Sequence, residues 1–198
     1  MPSLVVPFRG ARGKSRLGPL AVGRREALAA AMLGDVVAAC LAVGPTYVVG
    51  PPGTEAEGAT FVADPGTGQG TAVRAGLEAA SLASGATGPF LVVNADLPCV
   101  MPRDLLALAG AVPEHGLALA PAADGTTNAL ALSSLGLFEP VYGPGSAQRF
   151  AALGTARLVE APNLIDDVDT IADIQRLGDR LGPRTRSVLT TLRTGAAA

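Results

Sequence analysis

The stretch Phe90-Leu-Val-Val-Asn-Ala-Asp-Leu-Pro98 decides how the rest of the chain is read. Its first four residues are apolar, one aromatic and two β-branched, the pattern of a short strand buried on both faces. Directly after the run stand Asn94 and Asp96. A carboxylate at the carboxyl end of a buried parallel strand is placed to hold a hard cation such as magnesium through oxygen. Capping a helix is the alternative for Asp96. The next helix begins near Pro102, where proline suits the first turn, and that is too far along for direct capping.

Working outward, Leu4-Val-Val-Pro7, Tyr47-Val-Val49 and Thr60-Phe-Val-Ala63 read as further strands. Between them, Leu28, Met32, Val36, Ala39 and Cys40 recur at helical spacing within a helix expected from Arg24 to Leu41. A second helix is expected from Thr71, as its cap, to Ser84. Downstream come a helix from Pro102 to Ala111, strands over Leu117–Ala120 and Ala129–Leu132, a short helix over Ser146–Leu153 and a strand over Ala156–Val159. Thr170-Ile-Ala-Asp173 has the form of a capping box and would start a helix running to Leu181. Strands alternating with helices predict an α/β domain with a mainly parallel, mixed sheet flanked by helices. The 198 residues fit one domain, with residues 184–198 as a partly frayed C-terminal tail. Such sheets bind ligands beyond the carboxyl ends of their strands, so the loops there carry the functional reading.

Composition narrows the function classes. Apolar residues make up 48% and charged residues 16%, which excludes a mainly disordered chain. No apolar run reaches the ~18 residues that span a bilayer, and Met1–Phe8 lacks the basic start of a signal peptide. A net charge of −2 gives no basic footprint for nucleic acid. Cys40 and Cys99 belong to no CxxC pattern, which favours a reduced, cytoplasmic protein without zinc. The single histidine, His115, lies in a polar turn, and no GxSxG motif occurs, which argues against triad hydrolysis. A homodimer is left open.

Four loops carry the remaining chemistry. Phe8-Arg-Gly-Ala-Arg-Gly-Lys-Ser-Arg16 follows the first strand and gathers glycines that let a backbone approach phosphate with cations that hold it. Lys14 is the only lysine among 15 basic residues, which points to a use for a compact ammonium there. A solvated basic loop is the alternative. In Asp166-Asp-Val-Asp169, an extended backbone would point Asp167 and Asp169 to one face, where like carboxylates repel unless a cation relieves them. The dipole of the following helix is the alternative explanation for Asp169. Gly66-Thr-Gly-Gln-Gly-Thr71 opens a helix and suits a phosphate, ribose or base edge, and Gly143-Pro-Gly-Ser146 suits a second anion. Metal-binding carboxylates beside phosphate-binding cations match phosphoryl or nucleotidyl transfer.

Six segments in order resemble the CofC/FbiD guanylyltransferases. Pro7 to Leu17 is similar to the family's PxKxxxxAKSRL opening, and Arg24 to Asp35 to its first helix. Asn94-Ala-Asp-Leu-Pro98 resembles ADLP, Asp124-Gly-Thr-Thr-Asn-Ala-Leu130 the DGGTNAL loop, Tyr142-Gly-Pro-Gly-Ser146 the FGPGS loop and Asp167-Val-Asp-Thr170 the DVDTPxDL motif. Four positions depart from the pattern: Arg9 stands for Lys, Gly13 for Ala, Phe150 for His and Ile171 for Pro.

The resemblance implies a nucleotidyltransferase fold of the GT-A-like, Rossmann-like kind and transfer of GMP from GTP to a small phospho-acid in deazaflavin coenzyme synthesis. The acceptor would be phosphoenolpyruvate in bacteria or 2-phospho-L-lactate in archaea, and the abundant Ala, Gly and Arg suggest a GC-rich bacterial genome, favouring the former. It implies magnesium on Asp96 and Asp167, assisted by Asp169, and catalytic roles for Lys14, Asp96 and Asp167. The nucleotide would be held by Arg9, Lys14, Arg16, Gln69, Gly70 and Thr71, and the phospho-acid by Thr127, Asn128, Gly143 and Ser146. A molybdopterin guanylyl- or cytidylyltransferase is the nearest rival, although its LAGGxSxRMGxxK opening is absent. A non-catalytic nucleotide-binding module is the rival of another class.

Overall fold

The structure, a computed structural model, describes residues 1–10, 22–84 and 88–194. Seven strands, β1 (Ser3–Pro7), β2 (Thr46–Gly50), β3 (Thr60–Ala63), β4 (Phe90–Val93), β5 (Gly116–Pro121), β6 (Thr127–Leu132) and β7 (Thr155–Leu158), form one sheet. Its order is β3-β2-β1-β4-β6-β5-β7. Every pairing is parallel except those of β6, which runs against β4 and β5. Only a short loop joins β5 to β6, and a connection that short closes an antiparallel hairpin, since a parallel crossover needs a dozen residues or more.

The strict alternation of a strand sends neighbours to opposite faces. Leu4 and Val6 therefore enter one core with Val48, Leu91 and Val93, while Val5 enters the other with Val49, Phe90 and Val92. Helices α1 (Val22–Leu41) and α3 (Pro102–Gly110) cover the first face through Leu33, Val36, Cys40, Leu105 and Leu108. Helices α2 (Gln69–Ser84) and α4 (Ser146–Ala151) cover the second through Val73, Leu77 and Phe150. Gly76 lets α2 close onto the sheet, because a Cβ there would collide with Val5 and Val49. The result is the helix–sheet–helix sandwich that the alternating pattern predicts.

Three further helices, α5 (Pro162–Ile165), α6 (Ile171–Leu177) and α7 (Pro183–Thr194), complete the chain. The capping box before α6 forms as expected: Thr170 Oγ1 accepts from the Asp173 N–H at 3.3 Å, and the Asp173 carboxylate accepts from the Thr170 N–H at 2.8 Å. The helix stops at Leu177 rather than Leu181, since Gly178 adopts a positive φ that turns the chain. In the C-terminal tail, expected from residue 184 as partly frayed, α7 is helical to Thr194 and packs against α1, and Gly195–Ala198, where the fraying was expected, lie outside the described residues. The buried carboxylate of Asp35 on α1 holds its start. It accepts from the Arg184 N–H at 3.0 Å, the Thr185 N–H at 2.9 Å and the Thr185 hydroxyl at 2.6 Å. A carboxylate supplied from a distant helix thus does the work of an N-cap. Among the described residues no helix is long and apolar enough to cross a membrane.

Candidate active site

The carboxyl ends of β1, β3 and β4 open onto one side of the sheet, and the reversal of β6 brings its first residues to the same side. Val93 pairs with Ala129, so the next residue, Asn94, meets Asn128 and donates its N–H to the Asn128 carbonyl at 3.0 Å. Asp96 follows two residues later. The Val168 N–H donates to the Asp96 carbonyl at 3.0 Å. The Val168 side chain is fully buried among Leu28, Met32 and Ile174. With Val168 anchored inward, its neighbours turn to the site. Carboxylate oxygens of Asp96, Asp167 and Asp169 lie within 4.8 Å of one another. The equal facing of Asp167 and Asp169, expected from their spacing, is what the structure has. Three half-buried carboxylates so close form a hard, all-oxygen donor set, which suits a magnesium-type cation; repulsion among them would otherwise raise their energy.

Two clefts meet at this cluster. One, of about 190 Å³, is lined by Phe8, Arg9, Gly10, Met32 and Asp64. The other, of about 370 Å³, is lined by Asp124, Thr127, Asn128, Gly143, Ser146, Asp167 and Asp169. Asp96, Asn94 and Gln69 belong to both. A polar chain forms the shared wall. Gln69 Nε2 donates to Asn94 Oδ1 at 3.0 Å, Asn94 Nδ2 donates to the Thr127 carbonyl at 3.1 Å, and the Thr127 and Ser146 hydroxyls share a bond of 3.1 Å. Asn128 Nδ2 donates to the Ile165 carbonyl at 2.9 Å, tying β6 to the segment that leads into Asp167. Side chains held this way keep their rotamers before any ligand arrives, which preorganises the site.

The structure sorts the expected residues. Asp96, Asp167 and Asp169 come together, and Thr127, Asn128, Gly143 and Ser146 line one cleft as a group. Arg9 and Gln69 line the other. Lys14 and Arg16 lie outside the described residues. Gly70 faces Pro140, whose Cβ would stand 2.5 Å from an added Cβ, so its need is close packing. Thr71 is exposed and returns its hydroxyl to the Gly68 carbonyl at 2.8 Å; it sits inside the first turn of α2, because the helix starts two residues earlier than expected. The Gly143–Ser146 loop also differs from a simple anion cradle. The Ser146 N–H already donates to the Gly143 carbonyl at 2.9 Å and the Ala147 N–H to the Gly125 carbonyl at 3.2 Å. Asn94 and Asp64 are site residues to which the sequence reading gave no role, although both directly follow strands.

Asp166 stands apart from its neighbours. Its carboxylate accepts from Arg176 at 2.6 Å and Arg180 at 2.8 Å. Burial raises its pKa, but the hydrogen bonds and charges of the two arginines outweigh this and hold it below the usual carboxylate range. A lowered value means stability that is fully present above the ordinary carboxylate pKa near 4 and is lost as pH falls through the lowered one. The arginines are about half exposed, so solvent limits the contribution to about 1 kcal/mol. The stability gap between the wild type and Asp166→Asn should therefore close as urea titrations move from pH 7 to pH 2. A gap that persists at pH 2 would remove the ion pairs as its cause.

Known proteins fit this geometry. The model of the MobA-like NTP transferase domain matches residues 22–161. The phosphoenolpyruvate guanylyltransferase of Geodermatophilus obscurus is 35% identical, covering 94% of this chain and 93% of its own length. That of Streptomyces scabiei is 38% identical, covering 96% of each. A solved structure from Thermus thermophilus, a 2-C-methyl-D-erythritol 4-phosphate cytidylyltransferase, superposes with a TM-score of 0.59 at 20% identity, over 87% of this chain and 95% of its own. That likeness carries the fold alone. The full-length relatives, the matching domain and the carboxylate cluster where the two clefts meet agree, and the chain belongs to the phosphoenolpyruvate guanylyltransferase family.

Proposed function

We propose that the protein transfers GMP from GTP to phosphoenolpyruvate and releases pyrophosphate. The observation that carries this reading is the position of the carboxylate cluster, at the junction of two clefts with different linings. A transfer between two anionic substrates needs this arrangement, a donor pocket and an acceptor pocket that share one cation site. The cleft with Arg9 and Gln69 is the donor side. It opens into a wider space of about 920 Å³ past Phe8, Pro51 and Asp64, which has room for a nucleoside. The cleft with Thr127, Asn128, Gly143 and Ser146 is the acceptor side.

Asp96 and Asp167, with Asp169 beside them, would hold magnesium, which when bound supplies neutralising charge to the phosphates. No strong general base is needed. A phosphate monoester has its second pKa near 6 and is largely dianionic at pH 7. Its oxygen attacks the α-phosphorus of GTP and pyrophosphate leaves. The residues of the chain position the two substrates and exclude a competing water, which is most of what such a transfer requires. This explains how a chain whose only histidine, His115, is exposed can still be an enzyme.

The test is pyrophosphate release from GTP and magnesium with phosphoenolpyruvate, 2-phospho-L-lactate or 3-phosphoglycerate. Phosphoenolpyruvate and phospholactate carry the same charged groups and differ in shape around the third carbon, a difference worth ~1–3 kcal/mol. The expected kcat/KM preference for phosphoenolpyruvate over phospholactate is thus roughly ten- to two-hundred-fold. A lead for another acid would overturn the acceptor while leaving guanylyl transfer in place. Release with none of the three would overturn the activity.

A further inference from the structure

The geometry points to Arg149 as the positioning residue of the acceptor loop, setting the shape of Gly143–Ser146 from outside the cleft; this rests on the acceptor cleft proposed above. The loop has little rigidity of its own. Gly143 and Gly145 have φ of 105° and 70°, in the left-handed region where glycine is favoured. Glycine gains that reach at a cost in conformational entropy, so such a loop needs contacts from elsewhere to stay in one shape.

Arg149 supplies them. Its Nε donates to the Val141 carbonyl at 3.1 Å and its Nη1 to the Pro144 carbonyl at 2.6 Å. Its Nη2 donates to the carbonyls of Val141 at 2.9 Å and Tyr142 at 3.1 Å. One guanidinium thus gathers three carbonyls on both sides of Gly143. Among the described residues no carboxylate pairs with it, so the whole fork serves the loop. Its neighbour Phe150 is buried and meets the Tyr142 ring edge-on at 5.0 Å, which fixes the same loop from beneath. From inside, Thr127 holds Ser146 through their shared hydroxyl bond. The loop is clamped on three sides, and Arg149 clamps it from outside the cleft lining.

A planar group with five donors in fixed directions holds three carbonyls in one geometry, whereas the three rotatable donors of a lysine ammonium sit on a flexible stem and fix no such shape. Displacing substrate-positioning groups by about 1 Å can cost as much as a hundredfold. Steady-state kinetics with GTP, magnesium and phosphoenolpyruvate would compare Arg149→Lys and Arg149→Ala with Ser146→Ala, with melting curves as folding controls. The expected result is a KM for phosphoenolpyruvate raised about ten- to a hundredfold in Arg149→Ala, and less in Arg149→Lys, with the KM for GTP nearly unchanged. Millimolar guanidinium should restore part of the loss in Arg149→Ala and none in Ser146→Ala. If Ser146→Ala raises the acceptor KM and both Arg149 variants leave it alone, the positioning role is wrong and the acceptor cleft stands. If all three leave it alone, both fall. A loss of melting temperature with the two KM values moving together would mark Arg149 as merely structural and overturn the inference. Should Arg149→Ala fail to fold, the Lys variant alone decides by the same split.

Discussion

Asp96→Asn lowers kcat by about a hundred- to a thousandfold or more while the protein stays folded: that is the expected outcome, at the scale of losing one contact to developing charge. The substitution keeps size and shape while it removes the charge and replaces one acceptor oxygen with an amide NH2. The backbone is held independently, through the Asp96 carbonyl that accepts from Val168, so the surrounding loop has no cause to move. Asp96 is the one carboxylate of the cluster that lines both clefts, so its loss affects both substrates at once. Asp166→Asn is the informative control. It lies one residue from Asp167, but its oxygens are committed to Arg176 and Arg180. Turnover in that variant should stay near wild type. Pyrophosphate-release rates within about fivefold of wild type for Asp96→Asn would remove Asp96 from the mechanism.

The second large effect concerns stability. Asp35→Ala should destabilise the fold by about 2–4 kcal/mol. The change strips α7 of its cap and leaves two N–H groups and the buried Thr185 hydroxyl without their acceptor. Caps are worth ~1 kcal/mol, and buried donors left unsatisfied cost about 1–3 kcal/mol. Against a typical total of about 5–15 kcal/mol this is a large share. For a chain of this size each kcal/mol moves Tm by roughly 2–4 °C. Asp35→Asn retains one acceptor and should lose less. Urea unfolding that finds Asp35→Ala within about 0.5 kcal/mol of wild type would show that α7 is held by its apolar contacts with α1 alone.

What the sequence made legible follows the range of the interactions involved. Strands such as Phe90–Val93 are local facts, four apolar residues bounded by polar ones, and they stand where expected. Asp96, Asp167 and Asp169 were legible because a strand end and a two-residue spacing fix their facing locally. The shared wall was not. Gln69, Asn94 and Thr127 meet across 25 and 33 residues of chain, and no local pattern records such a bond. Helix α7 escaped for the same reason, since its cap comes from Asp35, about 150 positions away. Arg149 sits close to the carbonyls it binds, but a side chain folding back on its own loop leaves no periodic trace. The reversal of β6 was within reach: too few residues separate Ala120 from Ala129 for a parallel crossover.

That reversed strand has a consequence for inheritance. On the reading proposed above, the donor side draws on residues up to Asp96 and the acceptor side mostly on residues from the β5–β6 hairpin onward, the two sharing Gln69, Asn94 and Asp96. The two proposed pockets are therefore written largely on consecutive stretches of the gene. A lineage can exchange or retune its acceptor by changes confined to one stretch, without revising the residues that recognise the nucleotide. Changes confined to the acceptor stretch would leave most of the donor pocket as it is.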